Sequence, residues 1–119
     1  MAKKIKPDAY LELKEKHPEY MGAVEALGSA AQQAGPLDEK VTQLVQLSAS
    51  AAIRSEGAVH SHARRALEAG VSAQEIHHAL LSITSTIGFP NAMAALSWAN
   101  DVIDNEKSRK KQPGKKKQY

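Results

Sequence analysis

Between Arg54 and Gly70 the chain changes one helical pattern for another, and both ends of the second pattern are signposted. An Ala/Leu/Val-rich run gives out near Arg54. Ser55 follows, a residue whose hydroxyl can accept from an orphan backbone N–H at a helix start. Residues 55–69 then read as an amphipathic helix, and Gly70 supplies the left-handed position that ends one. Two residues later comes Ser72-Ala73-Gln74-Glu75, an S-x-x-E capping box. One helix ends, a second is bounded at both ends and a third starts within some twenty residues. That leaves no room for a strand and commits the middle of the chain to helices joined by short turns.

The rest of the chain extends this pattern. A short helix is expected from Asp8 to about Lys16, broken at His17-Pro18, and a second from Pro18 through Met21, Val24, Leu27 and Ala31. Gly35-Pro36 ends that one. Asp38 is placed to cap a long helix with Val41, Leu44, Val45, Ser48, Ala51 and Ala52 on its inner face. After Ser72, Ile76, Ala79, Leu80, Ile83 and Ile87 form one stripe up to Gly88. Pro90 opens a last helix, with Ala92, Ala95, Leu96, Ala99, Val102 and Ile103 facing inward, fading near Asn105. The expectation is an all-α fold, a compact bundle of about six helices. Its domain spans residues 8–106, between a basic leader (1–7) and a basic tail (107–119).

The net charge of +3 belongs to that tail. Residues 107–119 hold seven of the 16 basic residues and no acid, so 1–106 carries nine basic and 13 acidic residues, near −4. A Lys/Gln/Pro/Gly segment without apolar periodicity is expected to be disordered and solvated. An acidic body with few aromatics argues against a folded nucleic-acid-binding module, and contact of the tail with nucleic acid is not expected either. The longest apolar run is too short to span a membrane. Lys3, Lys4 and Lys6 are not followed by an apolar stretch, so a cytoplasmic location is expected. There is no cysteine, which excludes disulfides, thiolate ligands and thiol redox chemistry in this chain.

The central stretch also carries a resemblance. Arg54, Glu56, Gly57, His62, Ala66, Leu67, Ala69 and Gly70 match in register the motif R-C-E-G-C-x-x-x-H-x-x-x-A-L-x-A-G. Gly70, Glu75 and Ile76 then match G-x-x-x-x-E-I, and Gly88 and Pro90 match G-x-P. In these residues the chain resembles the alkylhydroperoxidase D-like branch of the carboxymuconolactone decarboxylase superfamily, over about Leu37 to Val102. The resemblance implies that branch's helical fold and assembly into trimers or hexamers. It places the branch's proton-relay histidine at His62 and its relay glutamate at Gln43. The two redox cysteines fall on Ser55 and Ala58. Serine cannot cycle through a sulfenic acid or disulfide, and glutamine is no carboxylate base, so the peroxidase chemistry is lost. The lactone decarboxylase branch also lacks cysteines, and His62 fits its pattern as well. Val59, Ser82 and Thr86 stand where that branch has leucine, histidine and tyrosine.

What remains is a set of candidates around His62. Two readings of His62 stay open: an acid–base group facing a pocket, or a histidine that holds the helix junction by a hydrogen bond. Ser55 and Gln43 are its candidate catalytic neighbours, with Glu56, Ala58 and His60 as candidate pocket residues. His60 and His62 are two apart on a helix and point to different faces, a poor chelating pair. His77-His78 splits likewise, and no H-x-x-x-H motif is present. Neither metal nor cofactor is expected. The expected function is binding of, or action on, a small organic molecule at His62. The alternative is a non-catalytic oligomeric binding or structural protein of the same fold.

Overall fold

A computed structural model of the protein describes residues 8–111. Among these described residues seven helices follow one another: α1 (Asp8–Lys16), α2 (Pro18–Gln32), α3 (Glu39–Ala52), α4 (Glu56–Glu68), α5 (Ala73–Ser82), α6 (Thr84–Ile87) and α7 (Phe89–Lys111). There is no strand among the described residues. No helix among them is long and apolar enough to cross a membrane.

The starts follow local chemistry. Asp38 accepts from Val41 N at 3.0 Å to cap α3, and Ser55 accepts from Ala58 N at 3.3 Å to cap α4. At α5 the capping box is complete: Glu75 N donates to Ser72 Oγ at 3.0 Å and Ser72 N donates to Glu75 Oε1 at 2.9 Å. The backbone donor to Glu75 holds its carboxyl below the usual carboxylate range.

Helices α3 and α4 end in the same way. Val71 N bonds Ala66 O at 2.9 Å and Gly70 N bonds Leu67 O at 3.1 Å, with Gly70 at φ +99°. At the end of α3, Ser55 N bonds Ser50 O and Arg54 N bonds Ala51 O, both at 3.0 Å, with Arg54 at φ 61°. Both are Schellman closures, in which the left-handed residue frees the last carbonyls to find donors. At Gly70 the position suits glycine twice over: a Cβ there would sit 3.2 Å from Lys40 Cε.

The core lies between α3, α4, α5 and α7. Leu47, Val59, Ile76 and Leu80 are its largest fully buried side chains, and Ala63, Ala66, Ala95 and Ala99 let the helices approach closely. Ala92, Val102 and Ile103 are buried on α7, as its periodicity predicts, and Trp98 packs against the core.

Three expectations need correction. The stripe from Ile76 to Ile87 is two helices, not one. The break falls at Ile83, where β-branched residues crowd and the Ser82 and Thr84 hydroxyls turn back on Ala79 O and Leu81 O. Helix α7 does not fade near Asn105 but runs to Lys111, helped by Arg109 gripping both oxygens of Glu106 at 2.9 and 3.1 Å. The expected leader and residues 112–119 of the expected tail lie outside the described residues. The third correction concerns burial. On α3 the buried residues are Gln43, Leu47, Ser50 and Ala51, whereas Val41, Val45 and Ala52 of the expected inner face are exposed. On α2 only Met21 is buried, and Val24, Leu27 and Ala31 are open to solvent. Helices α1 and α2 pack mainly on each other, pinned by Tyr10 donating to Glu25 and by Lys14 at 3.5 Å from the same carboxylate.

Candidate functional site

The turn at Arg54 folds α4 back along α3, and this brings residue 62 opposite residue 43. His62 Nδ1 lies 2.9 Å from Gln43 Oε1. Gln43 is buried, and its amide nitrogen donates to Gln32 Oε1 on α2 at 3.3 Å. With its nitrogen spent on Gln32, the Gln43 amide turns its oxygen to the imidazole. An amide oxygen only accepts, so Nδ1 of His62 is the protonated nitrogen. Nε2 is then left with its lone pair and makes no hydrogen bond among the described residues.

Burial pushes the His62 pKa below 6.5, and the neighbouring Arg65 guanidinium pushes it the same way. The imidazole is therefore neutral at pH 7. It is a base with one nitrogen anchored and one available, the state that proton abstraction needs.

His62, Gln43 and Gln32 line a cleft of about 230 Å³ between α2, α3 and α4. Thr42, Gln46 and Arg65 add polar groups, and Gly28, Ala31, Leu37 and Val45 add apolar wall. No carboxylate lines it and one guanidinium does, so its field favours an anionic or strongly polar ligand. The volume is below the usual range for drug-sized ligands and suits a small molecule.

Ser55, Glu56, Ala58 and His60 do not line this cleft. Ser55 is occupied as the cap of α4, and its seven-residue separation from His62 is about 10 Å along the helix axis. His60 is buried and turned to the opposite face, where Nε2 lies 2.8 Å from Asp101 Oδ2 on α7. Glu56, one turn back, reaches 3.9 Å from the same nitrogen. His77 donates to Asn100 Oδ1 at 2.8 Å and so ties α5 to α7, and His78 is exposed. Sequence reasoning missed Gln32, Gln46 and Arg65 as neighbours of His62. Of these only Arg65 carried a signal, lying three residues after His62 on the same helix face.

A sequence model described as the carboxymuconolactone decarboxylase family matches residues 18–101. No curated protein sequence matches the chain significantly. Among solved structures, the chain is similar to the apo crystal structure of a carboxymuconolactone decarboxylase family protein from Legionella pneumophila. The TM-score is 0.70 at 21% sequence identity, over 81% of this chain and 86% of that one. At that identity the likeness speaks for the fold.

Proposed function

Because the chain belongs to the carboxymuconolactone decarboxylase family, we propose that it binds a small organic anion in the cleft at His62 and that His62 is the acid–base group there. The observation that carries this reading is the 2.9 Å contact from Gln43 Oε1 to His62 Nδ1. It orients the ring and sets the tautomer, and leaves Nε2 to take a proton from an acidic O–H, N–H or activated C–H of the ligand. Protonated, the ring returns that proton to the product. Arg65 holds the anionic group of the ligand and, with burial, keeps the resting imidazole neutral. Chemistry of the thiol peroxidase kind is outside the reach of a chain without cysteine.

The test is a panel of small carboxylic acids and their neutral amides, followed by amide NMR. Acids are expected to bind better than amides, to shift the resonances of Gln43, His62 and Arg65, and to lose binding in His62→Ala. That variant should remain folded, at a cost of about 1 kcal/mol for one lost hydrogen bond. Ser55→Ala should bind as the native chain does. Binding that survives His62→Ala, or that shifts only distant resonances, overturns the assignment.

One observation favours a second reading, a non-catalytic member of the family that binds without turnover. The Gln32–Gln43–His62 chain holds amides only, so no carboxylate stands behind the imidazole to receive its proton. Gln43→Glu separates the two readings. It should raise the His62 pKa and confer or increase turnover if the amide is what silences the site.

The exposed apolar faces support a further part of the proposal, a homo-oligomer, with trimer or hexamer as the form the family resemblance implies. Leu37 and Val45 are both exposed and both line the cleft. A second copy seated on that surface would also close the ligand site.

A further inference from the structure

The face of α4 opposite the cleft carries a second constellation. Glu56 and His60 are four apart, one turn above the other on the same face. Asp101 reaches them from α7, 41 residues from His60. One ligand atom from each residue, an imidazole nitrogen and two carboxylate oxygens, lies within 4.8 Å of the other two. We propose that Glu56, His60 and Asp101 bind one divalent first-row transition ion, of which Zn²⁺ fits best.

The geometry supports a built site rather than a patch of surface acid. Bonds of about 2.0–2.2 Å to a tetrahedral ion set ligand atoms roughly 3.3–3.5 Å apart. The His60–Asp101 separation of 2.8 Å and the His60–Glu56 separation of 3.9 Å lie on either side of that spacing. Two of the three side chains are held by burial, at 11% and 14% exposed for His60 and Asp101, and Glu56 at 45% lies on the solvent side. That exposed side is also the entry path, and a water completes the fourth position. The charges balance: two carboxylates around one imidazole offset a divalent cation. One nitrogen and two oxygen ligands suit Zn²⁺ and its first-row neighbours more than Mg²⁺ or Ca²⁺, which take oxygen alone. On binding, His60 turns the Nε2 lone pair to the ion with its proton on Nδ1, and the metal takes over the link between α4 and α7. The site stands apart from the cleft at His62, and its test is independent of any ligand there.

The experiment is calorimetric titration of the full chain, stripped with a chelator, with zinc chloride. A parallel Co²⁺ titration is followed in the visible, where a tetrahedral ion absorbs strongly. One ion per chain is expected, with tetrahedral Co²⁺ bands and a raised melting temperature. Glu56→Gln should weaken binding about ten-fold, and His60→Gln or Asp101→Asn about a hundred-fold. His78→Gln should leave it unchanged. Glu56 is exposed, so Glu56→Gln keeps the fold even where the buried variants do not. Failure of either ion to bind overturns the proposal. So does affinity in Glu56→Gln and His60→Gln equal to that of the native chain, or loss of binding in His78→Gln.

Discussion

His62 is neutral because the fold makes it so, and that has a consequence for stability. Its folded pKa is lowered below 6.5, by burial first and by Arg65 second. A group whose pKa is depressed on folding contributes stability that is fully present above its unfolded value. That stability is lost as the pH falls through the folded value, because the unfolded chain then binds the proton that the folded chain resists. The native protein should therefore lose melting temperature as the pH is lowered below about 6.5. His62→Gln, with no proton to take up, should show a shallower fall over the same range. Parallel melts of the two proteins between about pH 7.5 and 5 measure the difference. Identical slopes would mean that His62 is charged in the folded state or that its surroundings are wetter than its burial implies. The contact between His62 and Gln43 was legible in the sequence, because a turn near Arg54 folds the helix carrying His62 back along the one carrying Gln43. The partner of His60 was not. Asp101 is one of several acids on a distant helix, and nothing local distinguishes it until α7 is packed against α4.

Helix boundaries were most readable where a side chain alone decides them. Ser72 and Glu75 announce α5 by chemistry that needs no tertiary context, and Gly70 announces the end of α4 by its freedom at positive φ. Arg54 closes α3 with the same hydrogen bonds as Gly70 closes α4, yet nothing in its residue type says so. It is the described residue, other than glycine, with a left-handed backbone. For an L-residue that conformation costs roughly 1–2 kcal/mol, and glycine escapes it at an entropic cost of roughly 0.5–1 kcal/mol in the unfolded chain. The balance predicts that Arg54→Gly stabilises the protein by up to about 1 kcal/mol in urea unfolding, with the m-value unchanged. Destabilisation would show that the Arg54 side chain has a role beyond holding the turn. The break at Ile83 was invisible for the opposite reason. Its apolar periodicity continues unbroken into α6, while the hydroxyl groups of Ser82 and Thr84 turn back on the backbone there.

Among the described residues, α2 and the start of α3 leave several large apolar side chains in water. Tyr20, Val24 and Leu27 make a stripe at helical spacing on α2, with exposures of 60%, 44% and 70%. Leu37, Val41 and Val45, before and along the start of α3, are exposed at 55%, 41% and 54%. Periodicity correctly finds these residues on one face of each helix, and errs only in assigning that face to the core of a single chain. Sequence pattern reports that a face wants burial and is silent on whether the same chain or another copy supplies it. Exposed apolar residues of this kind support the proposed association of copies. Charge placed there is the discriminating change. Leu27 and Val45 are exposed, so Leu27→Lys and Val45→Lys should each leave the helical content intact while dissociating the proposed assembly at micromolar concentration, as read by sedimentation. Dissociation should also open the cleft, because Val45 lines it, and weaken ligand binding together with the loss of mass. Removal of residues 112–119 should change neither property, since a run of like charges repels its own copies. A native chain that sediments as a monomer would leave the exposed stripe to another partner. Loss of the oligomer on truncation would move the interface to the C-terminus.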